Sequence, residues 1–229
     1  KLSKYIQKEI PEIPENNYIV EPIGKNTAPA IGLAALHIFK RDSDAVMGVF
    51  PSDHIIIGNS EFESVINQAQ KMVRVKPSLI TIGIKPTYPA TGYGYIQYNP
   101  NKKTEIDGVF KVKTFIEKPE KITAEKFYRS GEFLWNGGMF VWKAKTILLE
   151  MKSLMPELYK SMDTIGDSLF TDIYESELKR EWALVKPKSI DCGILEKSSN
   201  VYTIKAGFKW TDLGSWESLF TLLPKNRED

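Results

Sequence analysis

The sequence is poor in the residues that cysteine- and histidine-based chemistry requires. Of its 229 residues, one is a cysteine (Cys192) and two are histidines (His37 and His54). A single cysteine excludes a disulfide within this sequence and fits a reducing compartment, so we expect a cytoplasmic protein. Two histidines exclude a His-rich zinc site, which leaves oxygen ligands as the metal chemistry to consider.

Charge of one sign and long apolar runs are also missing. The 31 basic and 29 acidic residues give a net charge of +2, so no strong field points to an acidic polymer. No apolar run approaches the roughly 20 residues that span a bilayer. We therefore expect neither a nucleic-acid partner nor a membrane partner.

Strand and helix patterns alternate in the first part of the chain. The apolar run Ala45–Phe50 predicts a strand, Ser60-Glu-Phe-Glu63 has the form of a capping box that opens a helix, and Leu79–Ile84 predicts the next strand. This rhythm indicates βαβ units, so we expect a Rossmann-like α/β fold with a mostly parallel central sheet and helices on both faces. The rhythm changes near Thr91, which predicts an excursion over about 91–190 within one domain spanning 1–229.

Two aspartates lie far apart in the sequence, each beside a predicted strand end or turn. Asp53 follows Ala45–Phe50, a run that we expect to be a central strand buried on both faces, and Pro51 ends that strand. Asp212 lies in Trp210-Thr-Asp-Leu-Gly-Ser-Trp216. Either residue alone is typical of a turn. Together they suit a hard cation such as Mg²⁺, which takes oxygen ligands and bridges phosphates.

Seven short stretches follow one another along almost the whole chain. They are Glu21-Pro-x-x-Lys-Asn-Thr-Ala-Pro-Ala30, Pro51-Ser-Asp-His54, Thr91-Gly-Tyr-Gly-Tyr95, Glu117-Lys-Pro119, Trp135-Asn-Gly-Gly-Met-Phe140, Ser189-Ile-Asp191 and Trp210-x-Asp-Leu-Gly-x-Trp216. The set, in this order, resembles the bacterial-type mannose-1-phosphate guanylyltransferases, a family of sugar-phosphate nucleotidyltransferases.

The resemblance implies an enzyme that transfers GMP from GTP to mannose 1-phosphate, giving GDP-mannose, a polysaccharide precursor, and pyrophosphate. It implies Mg²⁺ as cofactor, with Asp53 and Asp212 as its ligands and Lys118 as a catalytic cation on the sugar phosphate. On the sugar side it implies contacts from Gly94, Glu117 and Asn136. For a buried amide such as Asn136, sugar hydroxyls are suitable partners.

The base is expected to face Glu21, Asn26 and Thr27. Guanine presents two neighbouring donors that one carboxylate can accept, but which of the three residues makes that contact stays open. Capping of the following helix is the alternative role for Asn26 and Thr27, and Thr27 is the expected N-cap. Asp191 is open between capping a short helix and reaching the sugar phosphate.

One feature of the family is missing from this sequence. Its opening strand and glycine-rich phosphate loop have no counterpart before Tyr18. We therefore expect the domain to be N-terminally incomplete, and Lys1–Asp229 alone to be inactive and poorly stable, because a buried strand needs sheet neighbours on each side.

Three alternatives remain at this point. One is the same chemistry with dTTP or UTP and glucose 1-phosphate, against which the Asn-Thr-Ala-Pro-Ala stretch argues. Another is a non-catalytic, nucleotide-sugar-binding regulatory protein that lacks the phosphate loop. A metal-dependent glycosyltransferase would want an Asp-x-Asp site, and neither Asp53 nor Asp212 lies in one. The oligomeric state is not fixed by the sequence, and we allow for a homodimer.

Overall fold

The computed structural model describes residues 2–101 and 104–213, which form two units. The first unit combines Lys1–Ala45 with Ile147–Lys197, and the second combines Val46–Thr146 with the described residues from Ser198 onward. The single domain over 1–229, with an excursion at about 91–190 within it, stays a prediction. In the described part of the chain, no helix is long and apolar enough to cross a membrane.

The first unit is built mainly from helices. The helix that carries Gly32 packs closely against the helices that carry Met151 and Met162. A Cβ at Gly32 would lie 3.1 Å from the sulfur of Met151 and 3.3 Å from that of Met162. Trp182 is fully buried, and its indole N–H donates to the carbonyl of Ile23 at 2.7 Å. The α-helices of the described chain, in both units, are α1 (Leu2–Glu9), α2 (Thr27–Arg41), α3 (Asn59–Val75), α4 (Lys121–Ser130), α5 (Ala144–Leu154), α6 (Pro156–Ser168) and α7 (Tyr174–Leu184). Two shorter helices are a 3₁₀-helix at Glu15–Asn17 and a π-helix at Asp191–Leu195.

The second unit contains a six-stranded sheet and a two-stranded sheet. The strands are β1 (Val46–Val49), β2 (His54–Ile57), β3 (Leu79–Ile84), β4 (Tyr95–Tyr98), β5 (Val109–Ile116), β6 (Phe133–Lys143), β7 (Val201–Lys205) and β8 (Lys209–Asp212). The large sheet has the order β1-β6-β3-β7-β5-β4, with β4 also paired to β6, and the small sheet pairs β2 with β8.

The α/β class is confirmed, but the mostly parallel sheet is wrong for the described strands. Only β3 and β7 pair in parallel, whereas β6 runs antiparallel to each of its partners β1, β3 and β4. A hydrophobic pattern identifies a strand but not its partner. The alternation of strands and helices near the start of the chain predicted parallel pairing, whereas most of the strands pair antiparallel. The strand before α3 is β2, which belongs to the small sheet.

The prediction for Ala45–Phe50 is also wrong in its position. Strand β1 lies at the edge of the six-stranded sheet and pairs with β6. Met47 is buried, Gly48 is exposed, and Phe50 beyond the strand is 46% exposed. A short apolar run therefore does not distinguish a central strand from a half-buried edge strand.

Helix α3 packs against one face of the large sheet. Its residues Val65, Ala69, Met72 and Val73 join side chains of β3, β6 and β7 in one buried cluster, to which Ala124 of α4 also belongs. Helices on both faces therefore stay a prediction. The capping box is wrong, because Gly58 with φ of 118° precedes the helix and the Ser60 hydroxyl donates to Glu61 instead.

Gly83 in the central strand β3 gives a test of this packing. A Cβ at Gly83 would lie 2.5 Å from Leu134 Cδ1 and 2.8 Å from Thr203 Oγ1, both in buried residues. We expect Gly83→Ala to lower the free energy of unfolding by about 1–3 kcal/mol, because the neighbouring strands must shift. Urea unfolding followed by circular dichroism measures this change.

Gly92→Ala is the matched control, since nothing lies within 4 Å of a Cβ at that position. It should leave the free energy of unfolding within about 0.5 kcal/mol of the parent. Equal stability of the two variants would contradict the described packing of β3 between β6 and β7.

Candidate functional site

The pairing of β2 with β8 brings together two of the motifs that carry carboxylates. In this antiparallel ribbon His54 lies opposite Asp212, and the N–H of Leu213 donates to the carbonyl of Asp53 at 3.1 Å. Asp53 and Asp212, distant in sequence, are thus neighbours in the second unit. Sequence patterns missed β2, because Pro51 was taken as the end of strand structure in this region.

His54 follows Asp53 in the chain, lies opposite Asp212 in the ribbon and contacts an aromatic ring. The indole N–H of Trp210 donates to His54 Nδ1 at 3.2 Å, and the two rings meet edge to face at 5.2 Å. Burial lowers the pKa of His54, and the charges of Asp53 and Asp212 oppose that shift. With Nδ1 accepting a hydrogen bond, the neutral ring carries its proton on Nε2.

Tyr93 positions Asp212 and was missed by the sequence analysis. Its hydroxyl donates to Asp212 Oδ1 at 2.6 Å, a charge-assisted bond at the short end of the usual range. Its ring packs on Trp135 at 5.0 Å and Trp210 at 5.4 Å. Burial, reinforced by the bond to Asp212, raises the pKa of Tyr93, so the phenol remains a donor. The only sequence signal was a tyrosine between two glycines, which was interpreted as a backbone turn.

The predicted sugar-contacting residues Gly94, Glu117 and Asn136 meet in the same unit. The N–H of Asn136 donates to the carbonyl of Gly94 at 2.7 Å. A Cβ at Gly94 would lie 2.7 Å from Glu117 Oε2, so a side chain there would displace that carboxylate. These contacts pack a carboxylate and the Asn136 residue against the buried Gly94, so only a residue without a side chain fits at this position.

The orientation of the Asn136 amide follows from its hydrogen bonds. Asn136 Oδ1 accepts from Thr81 Oγ1 at 2.8 Å and from the N–H of Gly138 at 3.3 Å. The amide nitrogen therefore points elsewhere and can only donate. A Cβ on Gly138 would in turn lie 3.5 Å from His54 Cε1, so Asn136 and the aspartate pair belong to one continuous surface.

Lys118 lies at the exposed end of this surface. Its ammonium forms a 3.4 Å ion pair with Glu117, and the side chains are 62% and 19% exposed, respectively. An ion pair so open to water is weak, so Lys118 can exchange Glu117 for a stronger anion. The backbone of Lys118 has φ of 43°, in the left-handed region.

The predicted base-contacting residues lie in the first unit. Glu21 Oε1 is buried and has no hydrogen-bond partner among the described residues. Burial raises the pKa of Glu21, and a hydrogen bond from the Lys25 N–H opposes that shift. The carboxylate therefore lacks a donor for one oxygen that is shielded from water, which is an unfavourable state without a ligand.

Asn26, not Thr27, caps helix α2. Asn26 has φ of 74°, and its Oδ1 accepts from the N–H of Thr27 at 2.8 Å. The Thr27 hydroxyl instead accepts from the N–H of Ile190 at 2.8 Å, and Asp191 is the next residue. Ser189 caps the turn that follows, since its Oγ accepts from the Cys192 N–H at 3.2 Å. Asp191 thus lies beside Thr27, and a contact with the sugar phosphate stays a prediction.

The aspartate pair stays the predicted metal site. In residues 2–101 and 104–213, no group of three or more His, Cys, Asp or Glu side chains is placed to hold a metal ion. Two carboxylates suffice for Mg²⁺, which usually binds one or two carboxylates and takes its other ligands from substrate phosphates and water. Asp53 and Asp212 offer that donor set, because the β2–β8 pairing makes them neighbours.

The chain resembles proteins of known kind over most of its length. It is 35% identical to mannose-1-phosphate guanylyltransferase 2 of Escherichia coli O157:H7 over 218 residues, which is 92% of this chain and 45% of that protein. The chain thus spans under half the length of the curated relatives that it matches.

Two solved structures share the fold. One is described as mannose-1-phosphate geranyltransferase from Thermus thermophilus, with a TM-score of 0.80, 24% identity, and coverage of 92% of this chain and 59% of that one. The other is described as mannose-6-phosphate isomerase from Helicobacter pylori, with a TM-score of 0.74, 30% identity, and coverage of 90% and 79%. Their descriptions name different activities, so the likeness shows the fold alone.

A family model adds the assignment that these matches leave open. The model described as "Nucleotidyl transferase" matches residues 2–228. That range takes in both units and all seven motifs. The chain therefore belongs to the nucleotidyl transferase family.

Proposed function

We propose that the protein containing this chain transfers GMP from GTP to mannose 1-phosphate, giving GDP-mannose and pyrophosphate. The observation that carries the proposal is the β2–β8 pairing, which makes neighbours of the two aspartates in the surface that also holds Glu117 and Asn136. The relatives named mannose-1-phosphate guanylyltransferase support the choice of substrates. A family role in building polysaccharides fits the similarity to xanthan biosynthesis proteins.

Asp53 and Asp212 would hold Mg²⁺ in this proposal. When bound, the ion would offset the repulsion between the triphosphate and the sugar phosphate. Tyr93 fixes the orientation of the Asp212 carboxylate through the bond to Oδ1, which directs the remaining lone pairs away from the phenol. His54 is held neutral beside the two acids, so it adds no positive charge that would compete with a cation.

The sugar phosphate would lie over Gly94, with Lys118 on its phosphate. The Lys118 ammonium supplies a mobile point charge, whereas the Glu117 carboxylate accepts hydrogen bonds from hydroxyl groups. The Asn136 amide nitrogen donates to a hydroxyl oxygen, since its own oxygen is engaged by Thr81 and Gly138. Asp191 is a further sugar-phosphate contact in this proposal.

Glu21 would read the base, with Asn26 and Thr27 shaping its surroundings. Guanine offers N1–H and the 2-amino group side by side, and a carboxylate can accept both. The buried and unpartnered Oε1 of Glu21 would gain a donor when guanine binds. Adenine has no such pair of donors, so this contact would also discriminate against ATP.

The reaction needs no covalent enzyme intermediate. A phosphate oxygen of mannose 1-phosphate forms a bond to the α-phosphorus of GTP, while the bond from that phosphorus to the bridging oxygen breaks and pyrophosphate leaves. Positioning of the two anions and stabilisation of their charge would supply the catalysis. Cytoplasmic localisation and a homodimer stay predictions.

A nucleotide panel on the complete protein tests the proposal. Pyrophosphate release is measured with mannose 1-phosphate or glucose 1-phosphate and each of GTP, dTTP, UTP and ATP. The proposal requires GTP and mannose 1-phosphate to give the highest kcat/KM. Preference for dTTP or UTP with glucose 1-phosphate would favour the first alternative, and binding of GDP-mannose without turnover would favour the regulatory one.

Asp212→Asn should abolish pyrophosphate release without unfolding the protein. A neutral amide is a poor ligand for Mg²⁺, and the amide still fits beside Tyr93. Steady-state rates at saturating Mg²⁺, together with a circular dichroism spectrum, check this outcome. Turnover within a few-fold of the parent would remove Asp212 from the metal site.

Tyr93→Phe separates the orientation of Asp212 from its charge. This variant loses only the hydrogen bond to Oδ1, so we expect activity between that of the parent and that of Asp212→Asn, with a higher Mg²⁺ requirement. If it matched the parent in Mg²⁺ dependence, Tyr93 would have no positioning role.

Glu21→Gln should weaken the use of GTP and blur the distinction between GTP and ITP, which lacks the 2-amino group. Glutamine offers one acceptor where the carboxylate offers two, and the lost bond corresponds to roughly 1–3 kcal/mol. Values of kcat/KM for both nucleotides measure the effect. The exposed Glu12→Gln is the control and should change neither value, whereas an unchanged GTP-to-ITP ratio in Glu21→Gln would contradict the assignment.

Lys118→Met should act mainly on mannose 1-phosphate. Removing one charge-assisted contact should lower kcat/KM for the sugar phosphate by roughly 1.5–3 kcal/mol and leave the KM for GTP nearly unchanged. Lys121→Met, an exposed lysine at the start of α4, is the matched control. A change confined to GTP would place Lys118 on the other substrate.

A further inference from the structure

A cavity in the first unit belongs to neither group of predicted site residues. It has a volume of about 460 Å³ and lies among the end of α5, the first turn of α6 and the segment after α7. This volume is in the range of small-molecule sites, roughly 300–1,000 Å³. Most of the lining is apolar: Leu154, Met155, Pro156, Leu158, Leu184, Val185 and Pro187.

The charged residues around the cavity are predominantly basic. Lys186, Lys188 and Lys197 line it, against the single carboxylate of Glu157. Glu157 is paired with Lys186 at 3.0 Å, and both side chains are 82% exposed. Among the described residues, no ion pair engages Lys188 or Lys197. The cavity therefore offers an apolar wall with two uncompensated ammonium groups, which is a complement to an organic anion.

One residue that lines this cavity, Lys188, is hydrogen-bonded to the predicted base-contacting segment. The N–H of Lys188 donates to the carbonyl of Lys25 at 3.2 Å, and the carbonyl of Lys188 accepts from the N–H of Ala28 at 3.0 Å. Two residues later, the N–H of Ile190 donates to Thr27 Oγ1 at 2.8 Å. The position of Lys188 is thus coupled through backbone hydrogen bonds to the loop that carries Asn26 and Thr27.

The floor of the cavity is close-packed around Gly193. A Cβ there would lie 2.6 Å from the sulfur of Met155 and 3.5 Å from Cγ of Lys188. The Lys188 stem is therefore held against the floor at its base, whereas its main chain is fixed to Lys25 and Ala28. Because the packing beneath Lys188 leaves little free space, a ligand that moved this side chain would also move the Lys188 backbone.

We propose that this cavity is an effector site that binds an organic anion with an apolar body. The bound anion is held by Lys188 and Lys197 over the apolar wall, and it changes the affinity for the nucleotide through the hydrogen bonds from Lys188 to Lys25 and Ala28. The second part rests on the proposed function, since it takes Glu21–Thr27 as the base site. Occupancy of the cavity does not rest on it.

Anilinonaphthalene sulfonate, an aromatic sulfonate, is the probe for occupancy. Calorimetric titration of the complete protein without substrates should give saturable one-to-one binding. Lys188→Gln combined with Lys197→Gln should weaken that binding at least tenfold, because both cations are lost while the apolar wall is kept. The matched control combines Lys160→Gln with Lys179→Gln, which removes the same charge from exposed positions outside the cavity and should change the affinity less than twofold.

The coupling is tested by titrating GTP with and without saturating probe. We expect the GTP dissociation constant to shift at least threefold in the parent and in the control pair, and to stay constant in Lys188→Gln with Lys197→Gln. Probe binding that is absent, or equally strong in all three proteins, overturns the effector site. Probe binding as expected with no shift in GTP affinity overturns the coupling. A protein that binds the probe but not GTP would instead refute the proposed function.

Discussion

The pairing of β2 with β8 is the interaction on which the candidate site depends. Both strands are four residues long. Asp53 directly precedes β2 and Asp212 ends β8, and the proposed metal site needs both carboxylates. Their register sets His54 opposite Asp212, and Asp53 directly precedes His54 in the chain, so both aspartates lie near the imidazole. A shift of one residue would turn Asp212 to the other face of the ribbon and separate it from Tyr93.

Aromatic packing holds this ribbon to the large sheet of the same unit. Ring contacts join His54 to Trp210, Trp210 to Tyr93, and Tyr93 to Trp135, at centroid distances between 5.0 and 5.4 Å. Trp135 belongs to β6, the strand that also carries Asn136. Burial of these rings raises the pKa of Tyr93 and lowers that of His54, so both groups stay neutral beside two acids. Burial of these side chains lowers the local dielectric constant. This low dielectric strengthens the hydrogen bond from Tyr93 to Asp212, and it also keeps Tyr93 and His54 uncharged.

The sequence was informative about which residues belong together and less informative about how strands pair. Motif order led to Asp53, Asp212, Glu117 and Asn136, which the structure places on one surface. The hydrophobic pattern could not reveal that β1 is an edge strand, because a short apolar run occurs both in edge strands and in central strands. Tyr93 was missed for a related reason: its partner Asp212 is 119 residues away, and no local pattern encodes such a contact. The sequence analysis allowed both Asn26 and Thr27 as caps and preferred Thr27, because the φ of 74° at Asn26 is a property of the folded loop.

We propose above all that Asp53 and Asp212 together form a divalent-metal site. The most direct measurement is a Mn²⁺ titration of the complete protein in the presence of GDP-mannose, followed by electron paramagnetic resonance, with Asp53→Asn and Glu12→Gln as test and control. Our account predicts one bound Mn²⁺ per chain in the parent and in Glu12→Gln, and a loss of at least tenfold in affinity for Asp53→Asn. Unchanged Mn²⁺ affinity in Asp53→Asn would contradict it.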